Sequence, residues 1–548
     1  MEKNALLSAI VMASLTLTGC FDSDDDSSND SRQASICNTG DIALLEKSNV
    51  DINGGKVLIY KTDGTYIDAA NVGDLPDMVK FVDNSTLVVA NEGEPADDYS
   101  SDPEGSISII KLDAESKVHN VTTLGFENVA LEGEVRIKPD STKEKDLEPE
   151  YVAVSESCET AWVSLQENNA VAIVDLQDKE ITAVKGLGKV DVAKVEMDIT
   201  ADDAAAPVLD NPENIFALRM PDTMVAYNVG GQDFFIAANE GDDREYDAWE
   251  DYEKAKKLDI ALSAELEAAV VTPDAGMESL RVLKDLGLNQ AGDQYDELYI
   301  AGTRSFTIFD ANGSVVFDSG SDFEKEIAQN YAANFSTRVD DSDDFDDVTG
   351  PYDQIGDDYY FWEGVDARSL KKGGEPEALA VHKIGDKVFA YIGLEKQGGF
   401  FVYDVTTPAD SKQVEYFNDI DYTKKPSEAG DLAPEGMVAF AQDDKNYLAV
   451  AHELSSTLAI FELADNGTVT KLTSVKLGSF DEGAAEIVDY SAQDKKLFVT
   501  NAETKKVDIV DVATPAQAEK VGSVDFSAYA DDLQSVSVKN GLLAIAVK

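Results

Sequence analysis

Residues 375–404 read EPEALAVHKIGDKVFAYIGLEKQGGFFVYD. An acid follows a proline at Glu377, and an apolar run leads to the turn Gly385-Asp386. A second apolar run ends at Glu395 and a third closes on Asp404. Short alternating runs rich in β-branched and aromatic residues, bounded by turn residues, are the pattern of strands rather than helices. The unit recurs. Pro76-Asp77 leads through MVKFV and TLVVAN to Glu92, and Pro149-Glu150 through YVAVS and AWVSLQ to Glu167. Pro221-Asp222 leads through MVAYNV and FFIAAN to Glu240, and Pro434-Glu435 through GMVAF and YLAVAH to Glu453. Ala485-Glu486 leads through IVDYS and LFVTNA to Glu503. In all six copies the two acids stand 15 to 18 residues apart.

A unit of four short strands repeated along 548 residues predicts an all-β, seven-bladed β-propeller rather than a string of separate domains. The seventh unit is split. SVSV (535–538) and LLAIAV (542–547) supply its first two strands, and KVLIY (56–60) and YIDAANV (66–72) its last two. Such a closing blade leaves no free sheet edge. In this topology both acids of each unit fall on one rim, and Ser535 breaks the series of first acids. The long insertions 93–106, 241–298 and 321–374 fall on the same rim, which marks it as the binding face. Helix-like stretches at 250–269 and 277–286 predict a helical cap within 241–298, whereas 321–374 reads as irregular.

The acids Asp77, Glu150, Asp222, Glu377, Glu435 and Glu486 lie toward the axis, with the second acids farther along. Two readings fit so many carboxylates. Either they accept backbone N–H groups of neighbouring blades, or they hold a hard cation, calcium above all. The metal candidates are Glu240, Glu395 and the dense loop NEGEPADDYSSDPEG (91–105), with Glu92, Glu94, Asp97, Asp98, Asp102 and Glu104. The run DDSDDFDD (340–347) lacks the glycine and terminal Glu of an EF-hand loop and reads as a solvated acidic loop. Arg244, Arg304, Arg368 and Lys396 are the basic residues placed to meet an anion at this rim.

The net charge of −62 excludes a nucleic acid held by phosphate neutralisation and would repel an anionic membrane surface. It favours divalent cations and cationic partners. Three scattered histidines, His119, His382 and His452, lack zinc-ligand spacing. No nucleophile elbow, Walker loop or dinucleotide fingerprint occurs. Asp318-Ser319-Gly320 reads as the end of a fourth strand rather than a phosphatase serine.

At the start, Lys3 precedes an apolar run, 5–18, too short to span a bilayer. It ends in Leu17-Thr18-Gly19-Cys20, similar to a bacterial lipobox, so 1–20 reads as a lipoprotein signal peptide with Cys20 the lipidated residue. Phe21 rather than Asp follows the cysteine, which points to the outer membrane, on its periplasmic or cell-surface face. Residues 21–40 read as a disordered acidic tether and 41–548 as the propeller. In an exported protein the remaining Cys37 and Cys158 are a candidate disulfide.

The blocks LPDMVKF (75–81), VVANEGEPADDYSSDPEGSISI (88–109), MPDTMVAY (220–227), AANEGDDREY (237–246), GTRSFTIFD (302–310) and 375–404 resemble the choice-of-anchor I proteins. That group is related to the mesenchyme-specific cell-surface glycoprotein and YVTN-type propellers. The resemblance implies a propeller at the cell surface, and some relatives carry an alkaline-phosphatase label. The segment 484–547 looks like what most relatives place at their N-terminus, as in a circular permutation, and 321–374 matches poorly. The expectation is a surface-exposed, calcium-stabilised binding or scaffolding propeller, tied to the membrane only through its N-terminal lipid. Its ligand at the rim is a protein, a glycan or a small molecule. The alternatives are a calcium-dependent phosphoesterase and a surface-layer component.

Overall fold

The computed structural model describes residues 55–547 apart from 202–208, 210, 273–275, 346, 347, 528, 529 and 531. The signal peptide, the tether, Cys20 and Cys37 lie outside the described residues. Each repeat folds as an antiparallel meander. In the first, Pro76–Asp83, Thr86–Asn91, Ser106–Leu112 and Val118–Leu124 pair in sequence order. Six further sheets among the described residues contain the same four-strand order, one of them with a short added edge, Leu131–Glu132. Their first strands pack neighbour to neighbour in a closed cycle.

The ring closes as the repeat pattern requires. Leu533–Lys539 and Leu542–Val547 join Lys56–Lys61 and Tyr66–Asn71 in one sheet, with Lys56 opposite Val547 and Lys61 opposite Leu542. The strands alternate because both faces of each sheet meet a neighbouring sheet. Val57, Ile59, Leu542, Ala544 and Ala546 pack toward the following blade, and Leu58, Leu543, Ile545 and Val547 toward the preceding one. Two-sided burial explains why these strands read as nearly continuous apolar runs.

The insertion 241–298 differs from the helical cap that its sequence suggests. Among its described residues the α-helix is Ala264–Val270, N-capped by Ser263, whose hydroxyl accepts from the Leu266 amide. The remainder pairs as short strands. Tyr252–Lys254 lies against Arg281–Leu283, Ala261–Leu262 against Gln294–Tyr295, and Leu298–Ala301 joins Ile215–Leu218 and Lys189–Asp191. Leu266, Val270, Met277, Leu280, Val282 and Tyr295 bury themselves in a core shared with Val192, Met197, Ile199, Ile215 and Ala217. Packing into that core overrides a weak helical propensity. The insertion 321–374 is also more regular than its sequence suggests. It holds the helix Asp322–Asn330 and a sheet of Val339–Ser342, Asp358–Trp362 and Tyr352–Ile355. Phe323 stacks 4.2 Å from Phe401 and thereby anchors that helix to the adjoining blade.

Candidate cation site at the acidic rim

The registers decide where the acids stand. Pro76 faces Asn91, Pro376 faces Leu394 and Pro434 faces His452. The residue after each proline and the residue after each second strand therefore meet at one rim. In the closing blade Leu533 faces Val547, so Gln534, not Ser535, occupies the acid's place. Ser535 instead accepts the Val79 amide across the blade boundary at 2.8 Å. The same one-residue β-bulge follows Pro76, Pro376 and Pro434, so Leu533 stands in the proline's place, which the sequence does not reveal because the proline is missing there.

The central acids crowd together, Glu150 buried and the other five half-buried, and loss of solvent around them is the largest cause of their raised pKa values. Asp77 is pushed up to about 7, opposed by a hydrogen bond from Gln534 and reinforced by the charges of Glu167 and Glu94. Glu486 is pushed up to about 8 by burial, then by Glu453 and Asp532. Glu150, Asp222, Glu377 and Glu435 also rise well above the carboxylate range, by burial and then by their neighbours' charges. Glu150 is hydrogen-bonded to Glu167, and Glu377 to Glu435. Two carboxyls bond in this way only when they share a proton. One oxygen of each of Glu150, Glu167 and Glu377 meets no protein donor. Among the described residues none of the six first acids takes a backbone N–H from a neighbouring blade; those amides go to hydroxyls, Val79 to Ser535 and Phe81 to Ser537.

One cluster has the geometry of a cation site. Glu240, Glu377 and Glu395 each present a carboxylate oxygen, all within 4.8 Å of one another. Lys372 lies 3.0 Å from Glu240 and 2.5 Å from Asp242, and Lys396 pairs with Glu395. Glu377 stood in the sequence only as one of the six repeated rim acids, and Lys372 was not among the candidate anion contacts. The spacing that repeats Glu377 in every blade made it look generic, and Lys372 sits in the poorly matching segment.

The loop 91–105 is not gathered in the same way. Glu92 is pushed well above the carboxylate range by burial and then by the charges of Asp77, Glu167 and Glu94. Asp98 caps the Ser100 amide, Asp102 lies 3.4 Å from Lys145, and Asp97 and Glu104 are exposed. Glu94 lies close enough to raise Asp77. The turn consumes these side chains locally instead of converging them.

The four basic candidates are committed to carboxylates. Arg244, 2% exposed, donates to Glu148 at 2.8 and 3.0 Å and lies 3.7 Å from Asp251. Arg136 holds the same Asp251 at 2.6 Å and Asp285 at 2.7 Å, which ties the insertion 241–298 to the ring. Arg304 donates to Glu324 at 2.8 Å and to the Ser369 and Lys371 carbonyls. Arg368 pairs with Glu375. Cys158 is disulfide-bonded.

Two glycines hold Glu240 in place. A Cβ on Gly241, where φ is +93°, falls 2.1 Å from the Gly302 nitrogen, and one on Gly302 falls 2.3 Å from the Glu240 carbonyl oxygen. Gly241→Ala is expected to lower stability by about 1–3 kcal/mol from backbone strain alone, with the collision added. A thermal melt within a degree of the parent contradicts this.

A model of the choice-of-anchor I domain matches residues 11–408. No curated protein sequence matches the chain. Among solved structures, a putative 6-phosphogluconolactonase of Bacteroides fragilis is 12% identical with a TM-score of 0.44, over 92% of this chain and 100% of that one. The periplasmic gluconolactonase PpgL of Pseudomonas aeruginosa is 12% identical with a TM-score of 0.41, over 86% and 96%. The β-propeller domain of a Myceliophteria thermophila protein is 9% identical with a TM-score of 0.36, over 86% and 96%. At these identities and scores no chemistry transfers to this chain.

Proposed function

The chain belongs to the choice-of-anchor I family, and from that premise we propose a seven-bladed propeller that binds calcium at its acidic rim and presents that rim to a partner outside the cytoplasm. The family is one of cell-surface or exported proteins. No helix among the described residues is long and apolar enough to cross a membrane. Attachment through a lipid on Cys20, in the outer membrane, is part of the same reading and rests on the lipobox-like Leu17-Thr18-Gly19-Cys20.

The observation that carries the calcium reading is the convergence of Glu240, Glu377 and Glu395. A hard divalent ion wants six to eight oxygens, and three carboxylates offer up to six between them. Without the ion, Lys372 and Lys396 compensate two of the three, and Glu377 shares a proton with Glu435. Calcium would take the place of the two ammonium contacts and of that proton. The phosphoesterase alternative relied on Arg244, Arg304, Arg368 and Lys396, each paired with a carboxylate, so no specific observation favours it.

The test is a thermal melt of chelator-treated protein with and without calcium, across pH. Groups such as Asp77 and Glu486 have folded pKa values raised to about 7 and about 8, above their unfolded values. The folded state then binds more protons than the unfolded one, so calcium-free stability is full at pH 4 and falls as pH rises through 7 to 8. Calcium should reverse this loss, raising the melting temperature most at pH 8 and hardly at pH 5. Glu377→Gln should remove most of that calcium effect. If chelation at pH 8 leaves the melt unchanged and calorimetry detects no calcium heat, the calcium reading fails.

A further inference from the structure

Next to the three-carboxylate cluster lies a cleft of ≈ 180 Å³, between the sheet of the 321–374 insertion and the blades that carry Glu395 and Glu453. Tyr360 and Trp362 supply its aromatic wall, Leu432 and Ala433 an apolar floor, and Glu453 and Asp481 also line it, Asp481 beside Tyr360. We propose that this cleft binds an organic cation, a primary ammonium group on an extended apolar stem.

The aromatic wall is fixed before any ligand arrives. The Trp362 indole N–H donates to the Lys424 carbonyl at 2.8 Å, and its ring lies 4.8 Å from Tyr422. Tyr360 packs edge-on to Phe480 at 5.6 Å, and its hydroxyl bonds the Asp481 carboxylate. Rings held in this way lose little entropy when a ligand docks.

The charge of the lining points the same way. Both cations of the cleft are already paired, Arg338 with Asp340 and Glu363, and Lys396 with Glu395. Among the described residues no lysine, arginine or histidine forms an ion pair with Glu453, Asp341 or Asp481, all of which line the cleft. An anion is therefore repelled. A bare metal ion gains nothing from an aromatic and aliphatic wall, because it needs oxygen on every side. An ammonium group gains from both features, since carboxylates take its N–H donors while a ring face attracts its charge by about 0.5–2 kcal/mol. An apolar stem covers Leu432 and Ala433. The net charge of −62 steers cations toward the molecule as a whole.

This inference names a ligand class different from calcium and does not depend on it, although Glu395 belongs to both the cleft and the cluster. The test uses the full chain in chelator, so a failed calcium reading leaves it intact. Binding of 1,5-diaminopentane and of a trilysine peptide is followed by calorimetry and tryptophan fluorescence, with glucose as a neutral control. The expected result is saturable binding of at least one amine, weakened about tenfold or more in Glu453→Gln and in Tyr360→Leu, with thermal melts unchanged. Tight binding of the diamine alone assigns a free polyamine-like ligand, whereas tight binding of the peptide alone assigns a lysine side chain. No saturable binding of either amine, equal affinity in both variants, or glucose binding as well as the amines overturns the proposal.

Discussion

Deleting residues 533–548 leaves no folded ring: the truncated chain is expected to be insoluble or aggregated, with no cooperative melt. The lost segment supplies the first two strands of the closing sheet, so Lys56–Lys61 keeps Tyr66–Asn71 but loses its other partner along its whole length. The Val79 and Phe81 amides lose the Ser535 and Ser537 hydroxyls. Leu533, Val536, Leu542, Leu543, Ile545 and Val547 leave two inter-blade cores. At about 1.5–3 kcal/mol for each large aliphatic side chain, their removal exceeds the 5–15 kcal/mol margin typical of folded proteins. Both exposed strand edges are then templates for association. Gel filtration and circular dichroism decide the matter, and a soluble monomer with the parent melting curve would contradict ring closure by these strands. Supplying the missing segment as a peptide should restore part of the folded signal, because closure by two chain ends does not require their covalent continuity.

The second large effect is expected at Arg244. Replacing it by Met keeps most of the volume but strands Glu148 and removes one of the cations near Asp146 and Asp251, all three of which lie within 3.7 Å of its guanidinium and are buried. Breaking a buried ion pair by removing one partner costs about 3–5 kcal/mol, because the other charge stays in a medium that cannot solvate it. Glu148→Gln in the same chain should recover part of the loss, and a double-mutant cycle on denaturant midpoints measures the coupling. An Arg244→Met protein as stable as its parent would show that these carboxylates take up protons at no cost. The proton-sharing pair Glu150 and Glu167 makes that outcome testable, since Arg244 is the main charge holding Glu167 down. Its removal should therefore steepen the loss of stability with rising pH.

The strand pairs and the closing sheet were legible because two-residue periodicity, turn residues and the recurring acid survive in every copy. The insertion 241–298 was not legible. Its apolar residues are spaced so that either a helix or short strands bury them, and only the core shared by Leu266, Val282 and Leu298 selects among these. The rim acids were legible as a set, but not their division of labour. Nothing in the repeat separates Glu377, which converges with Glu240 and Glu395, from Glu435 one blade on. The asparagines before the second acid went unremarked, although Asn91 bonds Ser106 and Ser108, and Asn239 bonds Thr303, Ser305 and Thr307. Their signal was present, as Asn-Glu recurs at 91–92 and 239–240.

By itself the sequence determined the four-strand unit, the ring closed by its own ends and the single rim that gathers acids and insertions. Those features follow from local periodicity and from the requirement that every strand edge be paired. Only the tertiary structure decided which carboxylates meet, that the arginines are spent on buried acids, and that Gln534 rather than Ser535 fills the seventh position. Each of these depends on a bulge, a register or a contact between blades distant in sequence, and charges in a buried site act through distance, which sequence order does not encode.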